Sequence, residues 1–218
     1  MPALNSACST TRDWALERYR TAISAGETPS STRLFTTSTR NLLAAERAAG
    51  VQHHVALSIV GADRAPDSGY MRAKVAQEKL IEESGFPYSL VRATQFFEFV
   101  NAIADSATDG DTVRLPEGAF QPIASADVAA AVTRAAIGDP VNGITNIAGP
   151  EKRGMDDFIR TALAASGDPR RVVTDPTARY FGAALDEHTI VPLDTEDPTI
   201  YPTRFSDWMA SRTTSGAH

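Results

Sequence analysis

Tyr70 and Lys74 stand four positions apart in the stretch YMRAKVAQEKLIEESG, a spacing that brings two side chains to one face of a helix. A tyrosine hydroxyl titrates near pH ~10, so by itself it exchanges protons poorly at neutral pH. A lysine ammonium within a few ångströms stabilises the phenolate and lowers the pKa of that hydroxyl. The pair could therefore transfer a proton to or from a bound molecule. Ser58, in the segment before it, could orient a carbonyl of that molecule by a hydrogen bond.

The spacing alone is not specific to proton transfer. Tyr-x-x-x-Lys arises by chance in roughly a third of chains of this length at ordinary residue usage. The alternative interpretation is an ordinary helix on which Lys74 is solvated and Tyr70 is half-buried. The elements that surround the pair have to distinguish these two interpretations.

The segments on either side of the pair alternate between helical and strand-like patterns. A helix is predicted to begin at Ser38, as its N-cap, and to end at Gly50. The apolar run HHVALSIV over residues 53–60 is typical of a buried strand; the helix with Tyr70 and Lys74 follows, and YSLVRA is the next strand. Because parallel strands need a crossover connection, this order predicts an α/β fold with a parallel sheet.

The rest of the chain continues the alternation less regularly. Helices are predicted in FFEFVNAIADSA, SADVAAAVTRAAIG, MDDFIRTALAASG and FSDWMA, and strands in DTVRLP and GITNIAG. Ser125 or Asp127 is the expected N-cap of the second of these helices. The beginning of the chain differs, because RDWALERYRTAISAG is predicted to be an amphipathic helix and ETPSSTRLFTTST a linker.

Composition and charge exclude several classes of function. The 218 residues carry a net charge of −6, so the phosphate backbone of a nucleic acid would be repelled, and the dipeptide Arg170-Arg171 is expected to be a solvated turn. No apolar run is long enough to span a membrane, and the N-terminus lacks the pattern of a secretory signal. Cys8 is the single cysteine, so no internal disulfide can form, and a cytoplasmic location is expected.

The histidines do not form a metal-binding pattern. His53 and His54 are adjacent on a predicted strand, so they point to opposite faces and cannot jointly bind an ion. His188 has no ligand spacing with either of them. No metal site is therefore predicted.

Several motifs occur together in the order typical of one protein superfamily. The stretches TSTRNLLAAERAAGVQHHVALSIVGA, YMRAKVAQEKLIEESGFPYSLVRATQFFEF and QPIASADVAAAV resemble the short-chain dehydrogenase/reductase (SDR) superfamily, and most of all its atypical, NmrA-like branch of NAD(P)-binding proteins. The resemblance extends from about Phe35 to Ala210. It implies an α/β fold with a Rossmann-like parallel sheet flanked by helices and a small C-terminal substrate lobe.

The resemblance also implies catalytic roles. Tyr70 would be the general acid/base, Lys74 would hold the nicotinamide ribose and tune the tyrosine, and Ser58 would orient the substrate. Asn41 would match an asparagine of the family's helix, or else be a solvated helix residue. The implied cofactor is NAD(P), with NADP favoured over NAD.

Two groups of positions after the second strand would line the site. The cofactor-binding group, besides Lys74, consists of Arg92, Ala93 and Thr94; the substrate-facing group consists of Gln95, Phe96 and Phe97. For the substrate-facing group, packing in the core is the alternative. The implied reaction is hydride transfer between NAD(P)H and a small carbonyl or quinone-like molecule. The alternative function is a non-catalytic, NAD(P)-linked sensor that acts through a protein partner, and a third possibility is a fragment with neither activity.

The chain departs from the family pattern at its beginning. It contains no G-x-x-G-x-x-G or G-x-G-x-x-G, the turn whose backbone amides hold the cofactor diphosphate. Since each βαβ unit needs roughly 30 residues, the units expected before His53 do not fit, and a truncated nucleotide-binding half with weak cofactor binding is predicted. The predicted organisation is a segment outside the family (1–34), an incomplete dinucleotide-binding core (35–115) and a substrate lobe interwoven with that core (116–218). An uncovered sheet edge would favour a homo-oligomer.

Overall fold

Helices and strands alternate along residues 29–215, the part of the chain that the computed structural model describes. The helices are α1 (Pro29–Ala48), α2 (Gly69–Glu82), α3 (Val100–Ser106), α4 (Ser125–Ile137), α5 (Met155–Ser166) and α6 (Phe205–Ser215). The strands are β1 (His54–Ile59), β2 (Tyr88–Ala93), β3 (Thr108–Asp109), β4 (Thr112–Leu115), β5 (Ala119–Phe120), β6 (Gly143–Ala148), β7 (Arg153–Gly154), β8 (Arg171–Thr174) and β9 (Thr199–Ile200). The helix predicted in RDWALERYRTAISAG lies outside the described residues.

The main sheet has the strand order β1-β2-β6-β9, and each neighbouring pair is parallel. Its register places Ser58 of β1, Arg92 of β2 and Asn146 of β6 side by side across the sheet. The crossover between β1 and β2 is α2, as the alternation in the sequence predicts. The predicted α/β class with a parallel sheet is therefore confirmed.

The two faces of the main sheet are covered by different helices. Leu90 of β2 packs with Leu43 of α1 and Ile81 of α2 in one buried cluster. The next residue, Val91, points the other way and packs with residues of α4, as side chains of a strand alternate between its faces. Side chains in register with Arg92 thus lie on the face that α1 and α2 cover.

Helix α1 begins nine residues before the predicted N-cap, at Pro29. The prediction that ETPSSTRLFTTST is a linker is therefore wrong from this residue onwards, and Ser38 lies inside the helix. Its hydroxyl, like that of Thr36, donates a hydrogen bond to a carbonyl three residues earlier in the same helix. Contacts with α2, the most extensive between any two elements, stabilise a helix whose own composition favours a loop.

A third apolar cluster, formed mostly by the C-terminal half, surrounds Phe158, whose ring packs against Phe97, Phe120 and Phe205. Beside it, α4 is capped differently from the prediction. Its N-cap is Ala124, and the carboxylate of Glu98 accepts hydrogen bonds from the backbone and side chain of Ser125.

The solvated turn predicted at Arg170-Arg171 is also wrong. Arg170 forms ion pairs with Asp168 and Asp105, and Arg171 begins β8, which pairs with β4. No apolar run marks β8 in the sequence, because this strand is short and only half-buried. No helix among residues 29–215 is long and apolar enough to cross a membrane.

Candidate active site

The start of α2 positions Tyr70 and Lys74. Ser68 is the N-cap, and its hydroxyl accepts a hydrogen bond from the amide of Met71. Gly69 begins the helix, so Tyr70 lies in the first turn and Lys74 one turn later on the same face. The loop before α2 contains the short 3-10 helix Ala62–Arg64, which continues from the C-terminal end of β1.

Lys74 is buried, with 6% of its surface exposed. Its ammonium donates hydrogen bonds to the backbone carbonyl of Leu57, at 2.9 Å, and to Oε1 of Gln77. It also lies 5.2 Å from the centre of the Phe35 ring. Burial lowers the pKa of Lys74 from 10.5 to about 8, and the nearby charge of Glu78 opposes this shift. The alternative interpretation of Lys74 as a solvated residue is therefore wrong.

Tyr70 is half-buried and packs against the same aromatic side chain. The rings of Tyr70 and Phe35 meet edge to face, with their centres 5.9 Å apart. The first half of α1 thus covers both members of the Tyr70–Lys74 pair. The sequence did not indicate this contact, because Phe35 stands in a stretch that reads as a linker.

Two buried hydroxyls lie at the C-terminal ends of β1 and β2. Ser58 is 4% exposed and Thr94 is 1% exposed, and neither side-chain oxygen has a hydrogen-bond partner among residues 29–215. Ser58 follows Leu57, whose carbonyl binds Lys74, and it lies on the sheet face covered by α2. Thr94 directly follows β2, and its backbone amide is bonded to the carbonyl of Ile147. Both hydroxyls are therefore candidate ligand contacts at this edge of the sheet.

The side chain of Arg92, which the sequence resemblance places at the cofactor, is bound by Glu78 of the protein itself. Its guanidinium donates two hydrogen bonds to the carboxylate of Glu78 on α2, at 2.9 and 2.8 Å, and a longer one to Asp63. The hydrogen bonds with Glu78 raise the pKa of Arg92 above its usual range. A cofactor contact at Arg92 would therefore have to use its backbone, as at Ala93, whose small side chain packs in the core.

The three predicted substrate-facing residues differ from one another in the structure. Gln95 is 8% exposed, and neither its amide nitrogen nor its amide oxygen has a partner among the described residues. Phe96 is partly buried and stacks on Phe99. Phe97 is 1% exposed and packs within the aromatic cluster of the C-terminal half, as the core alternative predicts. Only Gln95 therefore presents unused polar atoms.

The described part of the chain has no metal-binding cluster: within residues 29–215, no group of three or more His, Cys, Asp or Glu side chains could hold a metal ion. His53 binds the hydroxyl of Ser89 and His54 binds the carboxylate of Glu46, so the two adjacent rings diverge. Asn41 is exposed on α1, which agrees with a solvated helix residue.

The sequence pattern of a family described as NAD(P)H-binding matches residues 13–139, more than half of the chain. The chain belongs to this NAD(P)H-binding family. The match begins at residue 13, inside the segment 1–34 that was predicted to lie outside the family. NAD(P) as the cofactor class, implied by the sequence resemblance, is thereby confirmed.

Similar proteins include several that bind nicotinamide cofactors. A chloroplastic divinyl chlorophyllide a 8-vinyl-reductase from Cucumis sativus is 33% identical in an alignment of 124 positions that covers 52% of this chain and 29% of that protein. An NADPH-dependent quinone oxidoreductase from Escherichia coli, solved with NADPH, is 24% identical, with a TM-score of 0.53 over 64% of this chain and 50% of its own. A UDP-glucose 4-epimerase from Thermus thermophilus, solved with NAD, is 19% identical, with a TM-score of 0.59 over 83% and 69% of the two chains. The chain thus spans less than a third of the reductase, and the solved structures share its fold.

The described residues fit one end of the cofactor. The unpartnered oxygens of Ser58 and Thr94 and the ammonium of Lys74 suit the nicotinamide and its ribose, which offer hydroxyl and amide groups. No G-x-x-G-x-x-G or G-x-G-x-x-G turn occurs within residues 29–215 to hold the diphosphate end. Gly61, in the left-handed conformation just after β1, leaves room for the carbonyl of Thr189 and not for a phosphate, because a Cβ there would lie 1.9 Å from that oxygen.

Proposed function

We propose that this protein is an NAD(P)-dependent oxidoreductase that transfers a hydride between NAD(P)H and a small carbonyl or quinone-like molecule. The observation that carries the proposal is the pair of buried, unpartnered hydroxyls of Ser58 and Thr94 within the described part of the chain. Buried hydroxyls normally have hydrogen-bond partners, and open α/β sheets bind ligands at the C-terminal ends of their strands. Oxygen or amide groups of a bound ligand would supply the missing partners.

The side chains around this position have complementary roles in the proposal. NAD(P)H supplies the hydride when bound. The Tyr70 hydroxyl gives a proton to the substrate oxygen, and Ser58 donates a hydrogen bond to the same oxygen. The ammonium of Lys74 lies one helical turn from Tyr70 and favours the phenolate that remains after the proton has left.

The relatives support a choice among cofactors and substrates. NADPH is proposed over NADH, and a quinone-like acceptor over other carbonyls, because an Escherichia coli relative of the same fold is an NADPH-dependent quinone oxidoreductase. The unpartnered amide of Gln95 would recognise a ligand that offers both a donor and an acceptor.

The proposal is tested by titrating the purified chain with NADPH and NADH and then measuring NADPH oxidation with a benzoquinone. We expect binding in the high micromolar range or weaker, since the described residues offer no cradle for the diphosphate, together with slow turnover that depends on the chain. Turnover that is the same in the Ser58→Ala and wild-type proteins would contradict the assigned site. Submicromolar NADPH binding would contradict the expected weakness.

A second candidate is a non-catalytic, NAD(P)-linked sensor that acts through a protein partner. The specific observation in its favour is that Lys74 and Tyr70 already contact Phe35, so the proton-transfer pair is covered by the chain itself. Nucleotide-dependent binding of a partner, without turnover of any carbonyl or quinone, would favour the sensor.

The proposed partners of the protein are a small molecule and a second copy of the chain. We propose a small-molecule substrate, no nucleic-acid partner and a cytoplasmic location, with a substrate lobe that begins after residue 115. Strand β1 is the last strand on its side of the described main sheet, and its Leu57 side chain is 37% exposed. This edge is the proposed contact for a homo-oligomer.

A further inference from the structure

The Lys74 ammonium is surrounded on three sides by groups of the protein. The backbone carbonyl of Leu57 comes from β1, Oε1 of Gln77 from the same helix as the lysine, and the ring of Phe35 from α1. An ammonium has three N–H donors. The two oxygens accept two of them, and the electron-rich face of the ring is the contact for the third.

The three contacts differ in how easily they can be replaced. The Leu57 carbonyl belongs to a strand of the main sheet, and Gln77 is held in turn by a hydrogen bond of 3.1 Å from its amide nitrogen to Thr39 of α1. Among the described residues Phe35 is held by packing rather than by a hydrogen bond: its ring meets Tyr70 edge to face, it is partly buried, and its neighbour Leu34 is 63% exposed. A cation–π contact is also the weakest of the three.

We propose that Gln77 and Phe35 are positioning residues for Lys74, and that the Phe35 ring occupies the side of the ammonium at which the cofactor ribose binds. This inference rests on the proposed function. Leu57 and Gln77 hold the ammonium in place in both states, whereas Phe35 gives way to a ribose hydroxyl. Helix α1 thereby covers the Tyr70–Lys74 pair until a ligand enters.

Each contact of the Lys74 ammonium can be measured through the pKa of this lysine. Among the described residues, Glu78 on the same helix is the charged group that acts on the ammonium, and the ionisable Tyr70 lies one turn before Lys74 on the same face; β1 offers the ammonium a neutral carbonyl, and α1 a neutral ring. Removing an acceptor disfavours the ammonium and lowers the pKa of Lys74, whereas admitting water favours the ammonium and raises it. Gln77→Leu and Phe35→Ala are therefore expected to shift the pKa of Lys74 in opposite directions.

The experiment is competitive acetylation of the full chain over a range of pH, read by mass spectrometry. Lys74, Lys79 and Lys152 are the lysines of the chain, and the exposed Lys79 on the same helix is an internal reference. We expect the Lys74 pKa to rise by about one unit in Phe35→Ala and to fall by a similar amount in Gln77→Leu. Leu34→Ala, which changes the exposed neighbour on the same helix, is the matched control and should leave it unchanged.

A second Phe35 variant separates the effect of the ring face from the effect of lost packing. Phe35→Leu fills most of the same space and keeps water out, but it removes the ring face, so the Lys74 pKa is expected to fall. An unchanged Lys74 pKa in both Phe35 variants would overturn the assignment of this ring. An unchanged value in Gln77→Leu would overturn the role of the glutamine.

NADPH titration of the same variants tests whether the cofactor displaces the Phe35 ring from Lys74. Because the ring no longer has to be displaced, Phe35→Ala should bind NADPH roughly two- to thirty-fold more tightly than the wild type, the worth of a cation–π contact. If the pKa shifts are present but Phe35→Ala binds NADPH no more tightly than the wild type, the ribose does not bind on the side of the ammonium that Phe35 occupies. The positioning role of the two residues would still stand. If no variant binds NADPH, the proposed function itself fails, and acetylation still decides whether Gln77 and Phe35 position the lysine.

Discussion

Arg92 and Glu78 form a buried, bidentate ion pair between strand β2 of the main sheet and α2, the helix that contains Tyr70 and Lys74. Nε and Nη2 of Arg92 donate to the two carboxylate oxygens at 2.9 and 2.8 Å, and the side chains are 9% and 4% exposed. Such a pair fixes one face of α2 against β2. Glu78 lies one turn after Lys74 on the same face of α2, so the ion pair also fixes the position of the candidate site relative to the sheet.

Breaking this ion pair on one side should strongly destabilise the fold. Glu78→Gln leaves the Arg92 charge buried with only the half-exposed Asp63 beside it, and we expect a loss of about 3–5 kcal/mol in the free energy of unfolding. Replacing both residues by methionine should cost much less, since no charge is then left unpaired. Urea denaturation measures both. The control is Arg114→Ala at the exposed pair with Asp175, which should cost under about 1 kcal/mol.

Tyr70→Phe removes the phenolic proton and keeps the ring that packs on Phe35. If Tyr70 is the general acid, kcat for quinone or carbonyl reduction should fall by roughly 10²–10⁴, while NADPH affinity hardly changes, because the hydroxyl acts on the substrate. Steady-state kinetics and nucleotide titration measure the two effects. Full turnover in the variant would show that the Tyr-x-x-x-Lys match is not catalytic here and would favour the sensor.

Ser58→Ala should separate function from stability. The Ser58 hydroxyl is buried without a partner among the described residues, so its removal is expected to leave the free energy of unfolding unchanged or to raise it slightly, while it slows turnover. Ser68→Ala is the matched control, because that hydroxyl caps α2, and its loss should cost about 0.5–2 kcal/mol. Thermal denaturation compares the two. A large loss of stability in Ser58→Ala would mean that the hydroxyl supports the fold.

The lowered pKa of Lys74 predicts how stability depends on pH. Burial holds the pKa at about 8 in the folded chain, against 10.5 when exposed, so between these values the unfolded chain binds more protons. The free energy of unfolding should therefore rise with pH in this window, by about 2 kcal/mol between pH ~8 and ~10. Below the window, the contribution of Lys74 should lower it by a constant amount. Urea denaturation of the wild type and of Lys74→Met over this range isolates the contribution. Parallel pH profiles of the two proteins would contradict the burial of a charged amine.

The sequence by itself determined the elements that repeat a regular pattern. The run before Ser58, the helix from Tyr70 and the strand YSLVRA follow from periodicity and from their stop signals, and their order predicted the parallel sheet. The order of several motifs also predicted an NAD(P)-binding protein, as membership of the NAD(P)H-binding family confirms, because each motif is a local stretch of sequence that can be recognised without knowledge of any long-range contact.

Only the tertiary structure decided how these residues are used. Phe35 stands in a stretch rich in serine and threonine, and it becomes helical and covers Lys74 because α1 packs along α2. In the same way, Arg92 turns to Glu78 on a neighbouring element, and Ser58 remains unpartnered within residues 29–215. Local patterns reflect the free energy of forming one helix or strand, whereas the partner of a buried charge depends on residues far apart in the chain that packing brings together.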